Sequence, residues 1–311
     1  MSGEQQILAA LRPLATDPAA RGLLDDAALL DGLVLSHDTI AEGVHYLPDD
    51  PPDSVGWKLA AVNLSDLAAK GAAPAGALLS LTLRGDSEWE ERFLRGFHAA
   101  CESYGLPLLG GDTIALPDGA PRVLGLTVLG RAGARTPSRG GGRPGDRLWV
   151  AGVLGDSAAG LDCLRRDTKA EGPLVDVYRR PIPQLAAGRA LAGVANAMMD
   201  VSDGLLLDAA RLADASGCGA DIALDTLPLS TSFVAERGAG LDARLFAATG
   251  GDDYALLCAL PAGVDPNATL CLPEGTRMAA VGSLTDGMGI HLTDDGEPVP
   301  LPERLGHEHF A

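Results

Sequence analysis

The sequence predicts a two-domain α/β protein, and three observations predict it. Short apolar runs that end beside Gly, Ser, Thr or Asp alternate with segments whose apolar residues recur at helical spacing. The alternation occurs in both halves, and a Gly-, Arg- and Pro-rich stretch over 132–146 lies between them. Apolar residues make up 46% of 311, enough for packed cores, but aromatics are only 4%, so Ala, Leu and Val must build those cores.

An amphipathic helix is expected over 4–14, followed by the adjacent acids Asp25 and Asp26 as a turn before an apolar run. Leu33-Val34-Leu35 ends in Ser36-His37-Asp38 and crosses a Gly/Pro-rich loop into a helix marked by Trp57, Ala61, Leu64 and Ala68. Asp38 thus sits at a strand end and Asp66 on a helix. If the fold joins those elements, both acids face one cleft, as hard divalent cations require; taken singly, each also reads as a turn or surface residue. A strand is expected over 77–83. Trp89, Phe93, Phe97 and Cys101 then form an aromatic core stripe on a helix that stops at Tyr104-Gly105. The next run closes on Gly110-Gly111-Asp112, where glycine lets the backbone approach a ligand and a structural turn is equally accepted. A strand over 122–131 completes the first half.

Domains are expected over 1–136 and 147–311, joined by a linker over 137–146. The second half should hold a strand over 148–153, a helix from Gly155-Asp156-Ser157 through 165 and a helix over 183–197. Met198-Met199 runs into the acidic turn Asp200-Val201-Ser202-Asp203-Gly204 and a further helix. Thr249-Gly250-Gly251-Asp252-Asp253-Tyr254 repeats that device before a strand over 255–260, and Val281 and Phe310 mark the last apolar pieces of a polar, Pro-rich tail.

A formal charge of −18 argues against nucleic acid or an anionic membrane as partner. Five scattered cysteines with no C-x-x-C spacing suggest reduced thiols, and neither a secretory leader nor a membrane-length apolar run is read, so a cytoplasmic protein is expected. Gly140, Gly142 and Gly145 match G-x-G-x-x-G, but a strand rather than a helix follows them, which disfavours a dinucleotide site. Arg139 or Arg143 in that stretch can reach phosphate oxygens, or simply balance charge. No P-loop and no kinase H-R-D or D-F-G triplet occurs.

Asp25/Asp26, Asp38, Asp66, Asp112, Asp200/Asp203 and Asp252/Asp253 mostly lie where an apolar run ends beside Gly, Ser or Thr. Turn chemistry explains part of this. Carboxylates gathered at such ends repel unless cations lie between them, so the pattern predicts several Mg²⁺ ions, and Mg²⁺ in turn implies bound phosphates.

The motifs DDAALL (25–30), SHDTIAEGVHY (36–46), GWKLAAVNLSDLAAKGA (56–72), LLGGDT (108–113), RPGD (143–146), GDSAAGL (155–161), MDVSDGL (199–205), GGDDY (250–254) and GHEHF (306–310) resemble the thiamine-monophosphate kinases. These belong to an ATP-binding superfamily with aminoimidazole ribonucleotide synthetase. The resemblance implies that synthetase's two-domain α/β (α+β) fold, an N-terminal sheet forming a homodimer interface, and ATP in the cleft between domains. It implies Mg²⁺ ligands at Asp26, Ser36, His37, Asp38, Asp66, Asp112, Asp200 and Asp203. It places ATP contacts at Tyr104, Gly111, Asp112, Arg139 and Ser202, and thiamine-phosphate contacts at His45, Asp252 and His307. The implied reaction is direct, Mg²⁺-dependent phosphoryl transfer from ATP to thiamine monophosphate. Leu24, His37, Asp252 and His307 depart from the family pattern, where Gly, Thr, Glu and a large aromatic are usual.

Overall fold

The computed structural model describes residues 3–276 and 278–307, so Phe310 and the end of the GHEHF motif lie outside the described residues. Helix α1 (Gly3–Leu11) leads through two short 3₁₀ segments to strand β1 (Ala28–Leu30). Asp31 and Gly32, both at positive φ (49° and 77°), turn β1 directly into the antiparallel strand β2 (Leu33–Ala41). A two-residue Asp-Gly turn suits this hairpin because its twist matches that of the strands. The chain then forms α2 (Pro52–Ala69), β3 (Ala73–Leu83), α3 (Ser87–Tyr104), β4 (Leu108–Ala115) and β5 (Val123–Arg131). The resulting sheet has the order β1-β2-β5-β3-β4, with only β3 and β4 parallel. α3 ends where expected, Gly105 taking the left-handed conformation (φ 63°).

The second half supplies β6 (Arg147–Ala151), α4 (Asp156–Arg166), α5 (Pro173–Arg179), α6 (Leu185–Ala192), β7 (Ala197–Val201), α7 (Leu205–Ser216) and β8 (Gly219–Ala223). It continues with α8 (Thr231–Arg237), α9 (Leu241–Thr249), β9 (Ala255–Leu260), α10 (Pro266–Thr269), β10 (Met278–Thr285), β11 (Gly289–Asp294) and β12 (Glu297–Val299). Its seven strands run β12-β11-β8-β10-β6-β9-β7 and are mostly antiparallel. The helix expected over 183–197 is shorter, because Ala197 and the two methionines after it pair with β9 as a strand. The tail expected after 260 holds three strands. The linker expected over 137–146 is in close contact with the second half: a Cβ at Gly141 would meet the Asn196 carbonyl oxygen at 2.2 Å.

Strands of the second sheet bury both faces. Leu148, Val150, Ala197, Met199 and Leu257 pack with α7 and α9, while the alternate residues Trp149, Ala151, Met198, Leu256 and Cys258 join the core of the first half. α2 lies in that shared core, and sixteen of its eighteen residues are buried. Such a helix shows no one-sided pattern because every side meets protein.

α2 and α3 cross at their glycines: a Cβ at Gly56 would meet the Phe93 carbonyl oxygen at 2.1 Å, and one at Gly96 the Asp53 carbonyl oxygen at 1.8 Å. Gly96→Ala therefore forces the helices apart. It should cost about 1–3 kcal/mol, seen as a lower urea midpoint at unchanged slope.

Candidate active site

The acids converge because β2, α2 and β7 meet at one seam. Ser36 and Asp38 alternate with Val34 and Ile40 on the face of β2 that meets α2. Asn63 of α2 accepts the Asp38 backbone N–H at 2.8 Å. Ser36 Oγ donates to Asp66 and, at 3.2 Å, to the Asp26 carbonyl oxygen. One residue earlier on the helix, Ser65 Oγ donates to Asp200 of β7 at 2.7 Å. Asp26, Asp38, Asp66 and Asp200 thus share one region, where Asp38, Asp66 and Asp200 each feel the charge of others in the set.

Their electrostatics divide the set. Burial, then Asp38, Asp200 and Asp26, pushes the Asp66 carboxyl well above the usual carboxylate range. Burial and the Asp26 charge push Asp200 up to about 8, and burial raises Asp38 as well. Asp26 moves the opposite way: burial disfavours its charge, but Lys70 and Arg139 outweigh burial and hold it below the usual range.

The loop after β7 is organised by a residue that sequence reasoning missed. Asp208, fully buried on the first turn of α7, accepts the backbone N–H groups of Ser202 (3.1 Å) and Asp203 (3.0 Å) and the Arg211 guanidinium (2.9 Å). Arg211 also holds Asp203 at 2.5 Å. The Asp203 carbonyl oxygen accepts the His307 N–H at 2.9 Å, and the Ser202 carbonyl oxygen accepts that of Asp252 at 2.6 Å. Asp252, Ser202, Asp203 and His307 therefore lie together. Asp252 is bound by Lys58, by Ser157 Oγ (3.1 Å) and by Tyr254 Oη (2.8 Å). Lys58 is itself buried on α2, its Nζ 4.1 Å from the centre of the Tyr178 ring. His45, in the loop after β2, accepts the Ala41 N–H at 3.1 Å.

Two expected ligands do not join the cluster within one chain. The His37 ring lies on the opposite face of β2 from Ser36 and Asp38, bonded to Thr127 (2.9 Å) and Thr39 (3.3 Å), because successive strand side chains alternate. Asp112 lies on β4, paired in register with Ser80, two strands beyond the neighbour of β2. Three strand spacings place it about 14 Å from β2, and the register with Ser80, Gly125 and Thr39 puts it on the face away from α2. Gly111 beside it can only be glycine, since a Cβ would meet the Leu79 carbonyl oxygen at 1.9 Å. Tyr104 packs edge-on against Trp57 with ring centres 5.7 Å apart.

Residues 24–132 match the family "AIR synthase related protein, N-terminal domain" and residues 143–295 match "AIR synthase related protein, C-terminal domain". A thiamine-monophosphate kinase of Caulobacter vibrioides is 38% identical over 317 residues, covering 96% of this chain and 88% of the relative. That of Escherichia coli K12 is 38% identical over 304 residues, covering 93% and 92%. This chain belongs to the thiamine-monophosphate kinase family. A solved member, described as AaThiL complexed with AMPPCP and TMP, superposes with a TM-score of 0.84 at 32% identity, over 99% of this chain and 97% of that one. The two-domain α/β class expected from the sequence is the family's own. Among the described residues no helix is long and apolar enough to cross a membrane.

Among the described residues no three His, Cys, Asp or Glu side chains converge as a ready metal cage. The donors nonetheless suit Mg²⁺: they are all oxygens, Ser36, Asp66 and Asp200 are buried, and among the described residues no ion pair reaches Asp38, Asp66 or Asp200. Mg²⁺ takes only one or two carboxylates at a time, with water and phosphate completing its shell. A preformed cage is not required.

Sequence reasoning also missed Lys58. Its signal was a lysine inside an apolar helical run, which cannot stay buried without a partner. Lys58→Met should destabilise the chain by about 1–3 kcal/mol, below the cost of breaking a fully buried pair because Asp252 is partly exposed. Chemical denaturation measures it; a midpoint equal to wild type would contradict the pairing.

Proposed function

We propose that this chain is a thiamine-monophosphate kinase: a phosphate oxygen of thiamine monophosphate attacks the γ-phosphorus of ATP, the bond to the ADP oxygen breaks, and thiamine diphosphate and ADP form. One observation carries the reading: buried carboxylates from both halves meet at a single seam in a chain that resembles these kinases over nearly its full length. The attacking oxygen is already anionic, so no general base is needed. The physical difficulty is bringing two phosphate groups together.

Asp26, Ser36, Asp38, Asp66, Asp200 and Asp203, with the backbone of His37, are the residues that would hold Mg²⁺. Mg²⁺ bound there supplies neutralising charge between the two phosphate groups. Arg139, anchored on Asp26, provides a guanidinium beside the same acids, and Tyr104, Gly111 and Ser202 are the further ATP contacts of this reading. His45, Asp252 and His307 orient the thiamine phosphate, Asp252 being held by Lys58, Ser157 and Tyr254. The donor is ATP, in line with the AMPPCP in the AaThiL structure. A cytoplasmic enzyme divided near 137–146 belongs to the same reading.

Asp112 requires a second copy. The face of the first sheet turned from α2 exposes Leu78, and strand β4 exposes Leu108, Leu109 and Ile114, more apolar surface than a free sheet edge usually presents. A homodimer closed through this surface covers it and can deliver Asp112 to the partner's carboxylates.

Three measurements test the reading. Purified protein with ATP, Mg²⁺ and thiamine monophosphate should form thiamine diphosphate and ADP in equal amounts, with free thiamine as an inert control; ADP alone would point to another acceptor. Asp66→Asn should lower kcat by about 10²-fold or more with little loss of fold, and near-wild-type turnover would overturn the assignment. Mixing Asp66→Asn and Asp112→Asn subunits should restore activity, because one site of each mixed dimer then holds both native acids. No restoration in mixed dimers would place Asp112 in cis or outside the site.

A further inference from the structure

Lys70, the C-cap residue of α2, is a buried charged group that the reaction above leaves unused. It caps the helix four residues after Asp66, and its side chain is wholly buried. Its Nζ lies 2.5 Å from Asp25 Oδ1 and 2.7 Å from Asp26 Oδ2, and donates to the Met198 carbonyl oxygen at 2.9 Å. Three ammonium protons thus face three acceptors, although the Asp26 Oδ2 contact is an ion pair rather than an aligned hydrogen bond. Each acceptor belongs to an element that carries the cluster: Asp25 and Asp26 to the loop before β1, and Met198 to β7, two residues before Asp200. Arg21 pairs with the other oxygen of Asp25, and Arg139 with the other oxygen of Asp26.

The cations are therefore unevenly spread. Asp25 and Asp26 have three basic partners, whereas no ion pair reaches Asp38, Asp66 or Asp200 among the described residues. Adjacent carboxylates withdrawn from water need a counter-charge, and a lysine ammonium that is fixed and dry provides one permanently.

We infer that Lys70 is a resident counter-cation of the acidic cluster: it holds Asp25 and Asp26 in place before metal arrives, and competes with divalent metal for Asp26. Lys70 is a positioning residue, acting through the two acids rather than on substrate. It keeps the metal-free seam folded, and it directs Mg²⁺ toward Asp38, Asp66 and Asp200, where no protein cation stands. The inference rests on the reading of this cluster as a Mg²⁺ site.

The test is the Mg²⁺ dependence of stability in the full chain, without nucleotide or thiamine phosphate, so kinase turnover does not enter the readout. Wild type, Lys70→Met and the double variant Asp25→Asn/Lys70→Met are melted in EDTA and in graded MgCl₂, with calorimetric Mg²⁺ titration alongside. Lys70→Met should be the least stable in EDTA and should gain the most from Mg²⁺, its half-effect concentration falling by about tenfold or more once the competing charge is gone. The double variant, which removes one charge of each sign, should return toward wild type. A Lys70→Met protein whose Mg²⁺ response equals that of wild type, or that stays unfolded at every Mg²⁺ concentration, overturns the inference. A wild-type chain indifferent to Mg²⁺ sinks the metal reading, and this inference with it.

Discussion

A helix buried on every side cannot leave a polar group unpaired, and α2 is such a helix. Its apolar residues fasten two sheets into one core, while Lys58, Asn63, Ser65, Asp66 and Lys70 must each find a partner on a different element. Those partners are Asp252, the Asp38 backbone, Asp200, Ser36 and the Asp25–Asp26 pair. The packing demand and the placement of the site are one constraint. Whatever fixes α2 between the sheets also fixes the carboxylates relative to one another.

Burial raises the cost of charge, and the chain meets that cost unevenly. On the Asp25–Asp26 side, Lys70, Arg139 and Arg21 supply the balancing charge and keep Asp26 ionised. On the other side, Asp66 and Asp200 accept serine hydroxyls, no ion pair reaches Asp38, Asp66 or Asp200 among the described residues, and burial pushes their carboxyls toward the protonated form. Under the proposed reading, that second side is where a divalent cation would sit. The arrangement suits an enzyme whose metal arrives with its nucleotide.

The grouping of Asp26, Asp38, Asp66 and Asp200 was legible because Asp beside Gly, Ser or Thr after an apolar run is a strong local signal, although Asp38 lies inside β2 rather than at the strand end expected for it, and Asp66 inside α2. What remained hidden depended on direction or on tertiary partners. His37 and Asp38 are neighbours in sequence, yet strand alternation sends their side chains to opposite faces. Asp112 has the same local signature as Asp38, but sheet order places it at the far edge. Lys70, next to a helix end, reads as an ordinary cation at a helix C-terminus; only the return of the 25–26 loop and β7 buries it. In the fold, Asp31-Gly32 was a readable hairpin turn that went unread. Strands β10, β11 and β12 escaped notice because they are partly exposed and lack a continuous apolar run.

The GGDDY segment shows how strain is held at the seam. Asp252 and Tyr254 both have positive φ, 72° and 51°, a conformation that a bulky residue such as Tyr rarely adopts. Two backbone bonds enforce it: the N–H of Asp252 reaches the Ser202 carbonyl oxygen at 2.6 Å, and that of Tyr254 reaches the Val201 carbonyl oxygen at 2.9 Å. Tyr254 Oη bonds one carboxylate oxygen of Asp252, while Lys58 and Ser157 bond the other. The strained segment is held between the two halves by these bonds and by the pairing of β7 with β9 beside it.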